Sequence, residues 1–121
     1  MRADRPDCRQ AEGVVPEVDK KRAAQLALVD RVLNGEGRAP AEQRACAFRN
    51  DGLSPPLDVL IGKVADRPAE VTAEDLAAAK ASGCSEDQLF ELVVCAAVGQ
   101  SSRQYEAGLA ALAEAIGQGE D

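Results

Sequence analysis

Histidine and tryptophan are absent from this 121-residue chain, and its aromatic residues are three: Phe48, Phe90 and Tyr105. Without imidazole, one chain can build no Ser-His-Asp triad and no histidine metal ligand. With so few rings there is almost no surface on which single-stranded bases could stack. Strands favour β-branched and aromatic residues, so the aromatic poverty also argues against sheet. Long apolar runs are missing too. The longest, Leu92 to Val98, has seven residues, whereas a membrane-spanning helix needs about 20. The start, Met-Arg-Ala-Asp-Arg-Pro-Asp, lacks the apolar segment of a signal peptide, which makes the cytoplasm the expected compartment.

Positive charge is scarce: 14 Lys and Arg stand against 21 Asp and Glu, a formal net charge of -7. Nucleic-acid backbones and anionic membrane surfaces are repelled by such a chain, so neither is an expected partner. The one basic cluster, Lys20-Lys21-Arg22, reads as a solvated helix face. Cys8, Cys46, Cys84 and Cys95 form no Cys-x-x-Cys pair. The strong zinc and thioredoxin spacings are therefore lacking, free thiols are expected in a reducing compartment, and neither metal nor cofactor is expected.

What the chain has in quantity is alanine, at 23 positions, within a composition 45% hydrophobic and 29% charged. That is the balance of one soluble globular domain built from closely approaching helices. Residues 1–15 carry Pro6, Gly13 and little periodicity, and read as a flexible arm. From Pro16, which suits a first helical turn, Leu26, Val29 and Leu33 share a face, and Asn34-Gly35 stops the helix. A second helix covers Ala41–Arg49 and ends at Asn50-Asp51-Gly52. A third starts at Ser54-Pro55, with the serine hydroxyl as its cap. It carries the stripe Leu57, Leu60, Ile61, Val64 and closes at Arg67-Pro68. Gly35-Glu36-Gly37 lacks a strand-to-helix context and reads as a turn, not a nucleotide loop.

The strongest local signals come next. Thr72-Ala-Glu-Asp75 has the form of a capping box, flanked by Val71 and Leu76 as a hydrophobic staple. Ser85-Glu-Asp-Gln88 repeats the device, with Cys84 and Leu89 as its staple, and Gly83 ends the helix between. From Leu89 to Val98 only Glu91 is polar. A helix apolar around its whole circumference is either a central core helix or one that meets another subunit. Past Gly99 the pattern turns amphipathic, with Tyr105, Leu109, Leu112 and Ile116 on one stripe, so the domain is expected to span 16–117 with a short tail at 118–121.

The segment Thr72-Ala-Glu-Asp-Leu-Ala-Ala-Ala-Lys-Ala-Ser-Gly83, then Cys84-Ser-Glu-Asp-Gln-Leu-Phe-Glu-Leu92 and the Ala-rich helix through Leu112, resembles the alkylhydroperoxidase D-like, or carboxymuconolactone decarboxylase-like, superfamily. The resemblance covers about half the chain. It implies an all-α bundle of about five helices that assembles into homo-oligomers. The family's catalytic members use a Cys-x-x-Cys pair, a histidine and a glutamate to reduce peroxides or disulfides. Anchored on Gly83, the two cysteines fall near Pro68 and Val71, the histidine near Asp75 and the glutamate near Pro56. The redox residues are thus missing here.

Two functions follow. One is a non-catalytic oligomer or partner-binding protein, with Phe90, Val94, Val98 and Tyr105 at the interface. The other is a divergent thiol peroxidase using Cys84, which precedes a helix start, where the dipole favours a thiolate, but has Glu86 and Asp87 close by to oppose it. Cys95 and Cys46 read as packing residues. Glu70, Glu74 and Asp75 read as charge complementing a helix dipole, and Arg103 as facing solvent.

Overall fold

The computed structural model describes residues 16–120, with side chains over 19–117. Residues 1–15, including Cys8, lie outside the described residues. The described part is all-α: α1 (Pro16–Asn34), α2 (Ala41–Arg49), α3 (Leu57–Asp66), a 3-10 turn (Pro68–Glu70), α4 (Ala73–Ala81) and α5 (Glu86–Glu120). The last helix runs through 118–120, beyond the expected end of the domain at 117.

Most boundaries follow from the local chemistry. Asn50 takes the left-handed conformation (φ 56) and ends α2, while its own amide and that of Asp51 bond back to Ala47 and Cys46. Both N-terminal boxes form. Thr72 accepts from the Asp75 amide at 3.1 Å, and the Asp75 carboxylate accepts from the Thr72 amide at 2.9 Å. Ser85 and Gln88 make the same exchange at 3.1 and 2.9 Å. Gly83 closes α4 at φ 112, where a Cβ would be strained.

The start of α3 differs from expectation. Its first residue is Leu57, and no side chain caps it. The Ser54 carbonyl, not its hydroxyl, accepts from the Leu57 and Asp58 amides. Pro55 and Pro56 supply no N–H, so the hydroxyl has no donor in the first two positions. The stripe itself holds: Leu57, Leu60 and Ile61 are buried, and Val64 packs at the core's edge.

All four shorter helices pack on α5. The core joins Leu89, Leu92, Cys95 and Ala96 of α5 to Ala47, Leu57, Leu60, Ile61 and Ala79. Burial of a side chain such as Leu60, Ile61 or Leu92 contributes about 1.5–3 kcal/mol each. Small residues set the spacing. At Gly99, a Cβ would sit 2.0 Å from the Phe48 carbonyl oxygen at the end of α2. Arg103, exposed as expected, donates to that same carbonyl at 2.7 Å.

Within this chain α5 is not sheathed on all sides, as a central core helix would be. Leu89, Leu92, Cys95, Ala96 and Gly99 are buried, whereas Phe90 and Ala97 are exposed. At about 100° per residue these sets fall on opposite faces. Four short neighbours cover the inner face and leave the outer one open.

Gly99→Ala is expected to destabilise the fold by about 1–3 kcal/mol through overpacking, read as a lower urea midpoint. The control is Gly108→Ala, which meets open space. It should raise stability by about 0.5–1 kcal/mol through helix propensity.

Candidate functional site

The loop between α1 and α2 is held by two charged side chains. Glu91 of α5 accepts from the Arg38 amide at 2.9 and 2.7 Å and from the Ala39 amide at 2.8 Å. Gly37 makes room for it, since a Cβ there would lie 2.7 Å from the carboxylate. Arg44 of α2 takes the opposite polarity. Its Nε donates to the Ala39 carbonyl at 3.1 Å, and its Nη1 to the carbonyls of Val32 and Gly35 at 3.3 and 2.7 Å. Carbonyls at a helix C-terminus lack intrahelical partners and carry partial negative charge, so a guanidinium suits the end of α1.

Arg44 is only 8% exposed, the one buried charged residue in the described core. The two backbone amides hold the Glu91 carboxyl below its ordinary value of 4.5, with Arg44 and Arg38 adding to the effect. Burial pushes the Cys95 thiol up; Arg44 opposes this and Glu91 adds to it. That thiol donates to the Val32 carbonyl at 3.4 Å. Cys95 is thus a core residue, as expected from its apolar surroundings.

A groove of about 700 Å³ opens between this loop and α5, lined by Glu36, Arg38, Arg44, Asp87, Phe90 and Glu91 among others. It leads to an inner recess of about 120 Å³ that shares Arg44, Phe90 and Glu91 and adds Val32, Val94 and Cys95. Sequence reasoning read Gly35–Gly37 as a turn and noted Glu91 as the lone polar residue of an apolar run. It missed Arg44. The available signal was an arginine on an otherwise small-residue helix, at a position whose neighbours Ala45 and Ala47 could pack close.

The outer face of α5 is the second feature. Phe90, Val94, Val98, Ser101, Tyr105, Leu109, Leu112 and Ile116 recur at intervals of three or four residues and share one face. Phe90 is 69% exposed, and Leu112 and Ile116 are each 54% exposed. Val94, Val98, Tyr105 and Leu109 are half-buried. The stripe is apolar at every position but Ser101, and about 39 Å long at 1.5 Å per residue. All four interface residues expected from the sequence lie on it.

Cys84 is half-buried and packs against the core. The neighbouring Glu86 is drawn to Lys80 at 2.7 Å. Cys46, Cys84 and Cys95 are free thiols. Among the positions where the resemblance would place redox groups, Pro68 opens the 3-10 turn and Val71 packs at the core's edge. Asp75 spends its carboxylate on the Thr72 cap and on Lys63 at 2.9 Å. That partner and the cap hold its carboxyl below the ordinary value. Among the described residues, no three Cys, Asp or Glu side chains gather as a metal site. No described helix is long and apolar enough to cross a membrane.

No family model, curated protein or solved structure matches the chain.

Glu91 supplies a pH test. Its folded pKa is depressed, so its stabilising effect is present above the ordinary carboxylate range and is lost as pH falls through the folded value. Glu91→Gln is expected to lower stability at pH 7 and to flatten the loss of stability between about pH 5 and pH 3, followed by urea unfolding across pH. An unchanged acid slope would show that the carboxylate bonds to the loop carry no linkage.

Proposed function

We propose that this chain is a non-catalytic, self-associating helical protein of the alkylhydroperoxidase D-like type, in which a second copy docks along the outer face of α5. The observation that carries this reading is the apolar stripe from Phe90 to Ile116. Monomeric soluble proteins rarely expose continuous apolar patches of more than a few hundred Å². A stripe that runs the length of a helix offers the repeated contacts that helix pairing needs, and the surrounding alanines and Gly108 permit close approach. A second copy carries the same stripe, so a two-fold pairing is self-complementary without any further partner.

The order of elements, with a capped short helix, Gly83 and a capped long helix, supports the family resemblance. The positions corresponding to its redox groups hold Pro56, Pro68, Val71 and Asp75, and the one carboxylate among them is already bonded. This favours assembly over peroxide chemistry. Thiol chemistry at Cys84 draws little support from its setting: the half-buried residue packs against the core as the apolar partner in its staple.

Light scattering is expected to give an oligomer for the parent. Phe90→Glu and Leu112→Glu, both at exposed positions, should keep full helicity and shift the mass to that of one chain. A parent that stays monomeric at its highest soluble concentration would overturn the reading. Separately, peroxide-dependent thiol loss at neutral pH is expected to be slow and equal in the parent and in Cys84→Ser. Rapid loss abolished by the substitution would reinstate the peroxidase alternative.

A further inference from the structure

We propose that the groove between the α1–α2 loop and α5 binds a small organic carboxylate, its charged end on Arg44 and its apolar body against Phe90 and Val94. The site lies within one chain, although Phe90 and Val94 also belong to the stripe of the proposed assembly.

Arg44 is the reason. A guanidinium has five N–H donors, and three here go to the carbonyls of Val32, Gly35 and Ala39. Its Nη2 has no hydrogen-bond partner among the described residues and is not a fully buried atom, so it is the accessible edge of a residue otherwise more than nine-tenths buried. None of the ion pairs of the described residues includes Arg44. An anion that reaches this free edge of a largely buried guanidinium gains charge-assisted hydrogen bonds.

The walls select the rest of the ligand. Glu91 shares the groove, but both of its oxygens are engaged by loop amides. Glu36 and Asp87 are exposed, where solvent screens them. Arg31 and Arg38, exposed like those two acids, line the cavity as well and offset their charge at the entrance. Phe90 stands beside this charged patch, and Val32, Val94 and Cys95 line the recess. An apolar wall beside a few convergent donors is the general make-up of a small-molecule site, and about 700 Å³ lies within the usual range. A bare inorganic anion would leave the apolar wall unused.

Benzoate is the probe, with inorganic phosphate as the anion that lacks an apolar body. Both are titrated into the full chain while the Val32 and Val94 methyl and Phe90 ring resonances are followed by NMR. Benzoate is expected to shift these resonances saturably with a Kd on the order of 1 mM, and phosphate to leave them in place. Arg44→Lys should abolish the effect. Because Arg44 also holds three carbonyls, so that its replacement disturbs the loop as well, Phe90→Ala provides the second test. It removes an exposed ring, should fold as the parent does, and should weaken benzoate about tenfold. Because Phe90 and Val94 also lie on the stripe of the proposed assembly, the titration is repeated in Leu112→Glu, expected to be a single chain: saturable benzoate shifts there place the site within one chain, and their loss there overturns the proposal. The proposal is overturned by the absence of saturation, by equal shifts with phosphate, by an unchanged Kd in Phe90→Ala, or by shifts centred instead on a separate hollow of about 440 Å³ between α1 and α5, lined by Leu26, Val29 and Phe48.

Discussion

Backbone groups in the α1–α2 loop must find partners outside any helix, and the structure meets that demand with one acid and one base from two different helices. Glu91 collects the loop's amides and Arg44 its carbonyls. Buried backbone polar groups left unpaired cost as much as lost hydrogen bonds. The two side chains therefore fix where α1 ends, how α2 begins and how both lie on α5. The glycine at 37 belongs to the same solution, because a Cβ there would lie 2.7 Å from the Glu91 carboxylate and push it from its place on the loop amides. The groove is a by-product of this arrangement: a loop held off α5 by charged side chains leaves a space that apolar packing would have closed.

Close approach does the work that bulky side chains do in other cores. Apart from Leu57, Leu60, Ile61, Leu89 and Leu92, the buried core is made of alanines and Cys95. Small side chains bury little area each, so the helices gain stability only if their backbones come near one another. Gly99 against the Phe48 carbonyl is the tightest example. A small core of this kind has no reserve with which to cover the outer face of a 35-residue helix. The exposed Phe90, Leu112 and Ile116 are the consequence. That shortage joins packing to the proposed function: apolar surface which four short helices cannot bury is left for a second copy.

The polar features divide into those already engaged and those still open. Asp75 serves a helix cap and Lys63 together, and Glu86 pairs with Lys80. Arg22 joins α1 to α5 through Glu106 at 2.9 Å, so part of the basic cluster tethers two helices rather than only facing solvent. Pairs this exposed contribute little stability, and their effect is one of register. Among the described residues two side-chain atoms stand apart: Gln43 Oε1, buried without a partner, and Nη2 of Arg44, the accessible edge of a largely buried guanidinium.

Much of the architecture was legible in the residues themselves. Thr72 with Asp75, Ser85 with Gln88, Asn50 and Gly83 mark helix ends through bonds among near neighbours, and such bonds depend only on local order. The failed cap at Ser54 shows the limit even there, because Pro56 has no amide to offer and the Leu57 amide goes to the Ser54 carbonyl instead of its hydroxyl. Which face of α5 would be buried was not legible. Leu89 to Val98 is apolar all round, so its hydrophobic pattern carries no direction, and only the placement of α2 and α3 decided that Leu92 lies inside and Phe90 outside. The partnership of Arg44 with carbonyls from Val32 to Ala39, and of Glu91 with amides more than fifty residues away, was likewise settled by tertiary structure. Charge and spacing along a chain record what a residue can donate or accept, whereas the identity of its partner depends on which distant backbone the fold brings within 3 Å.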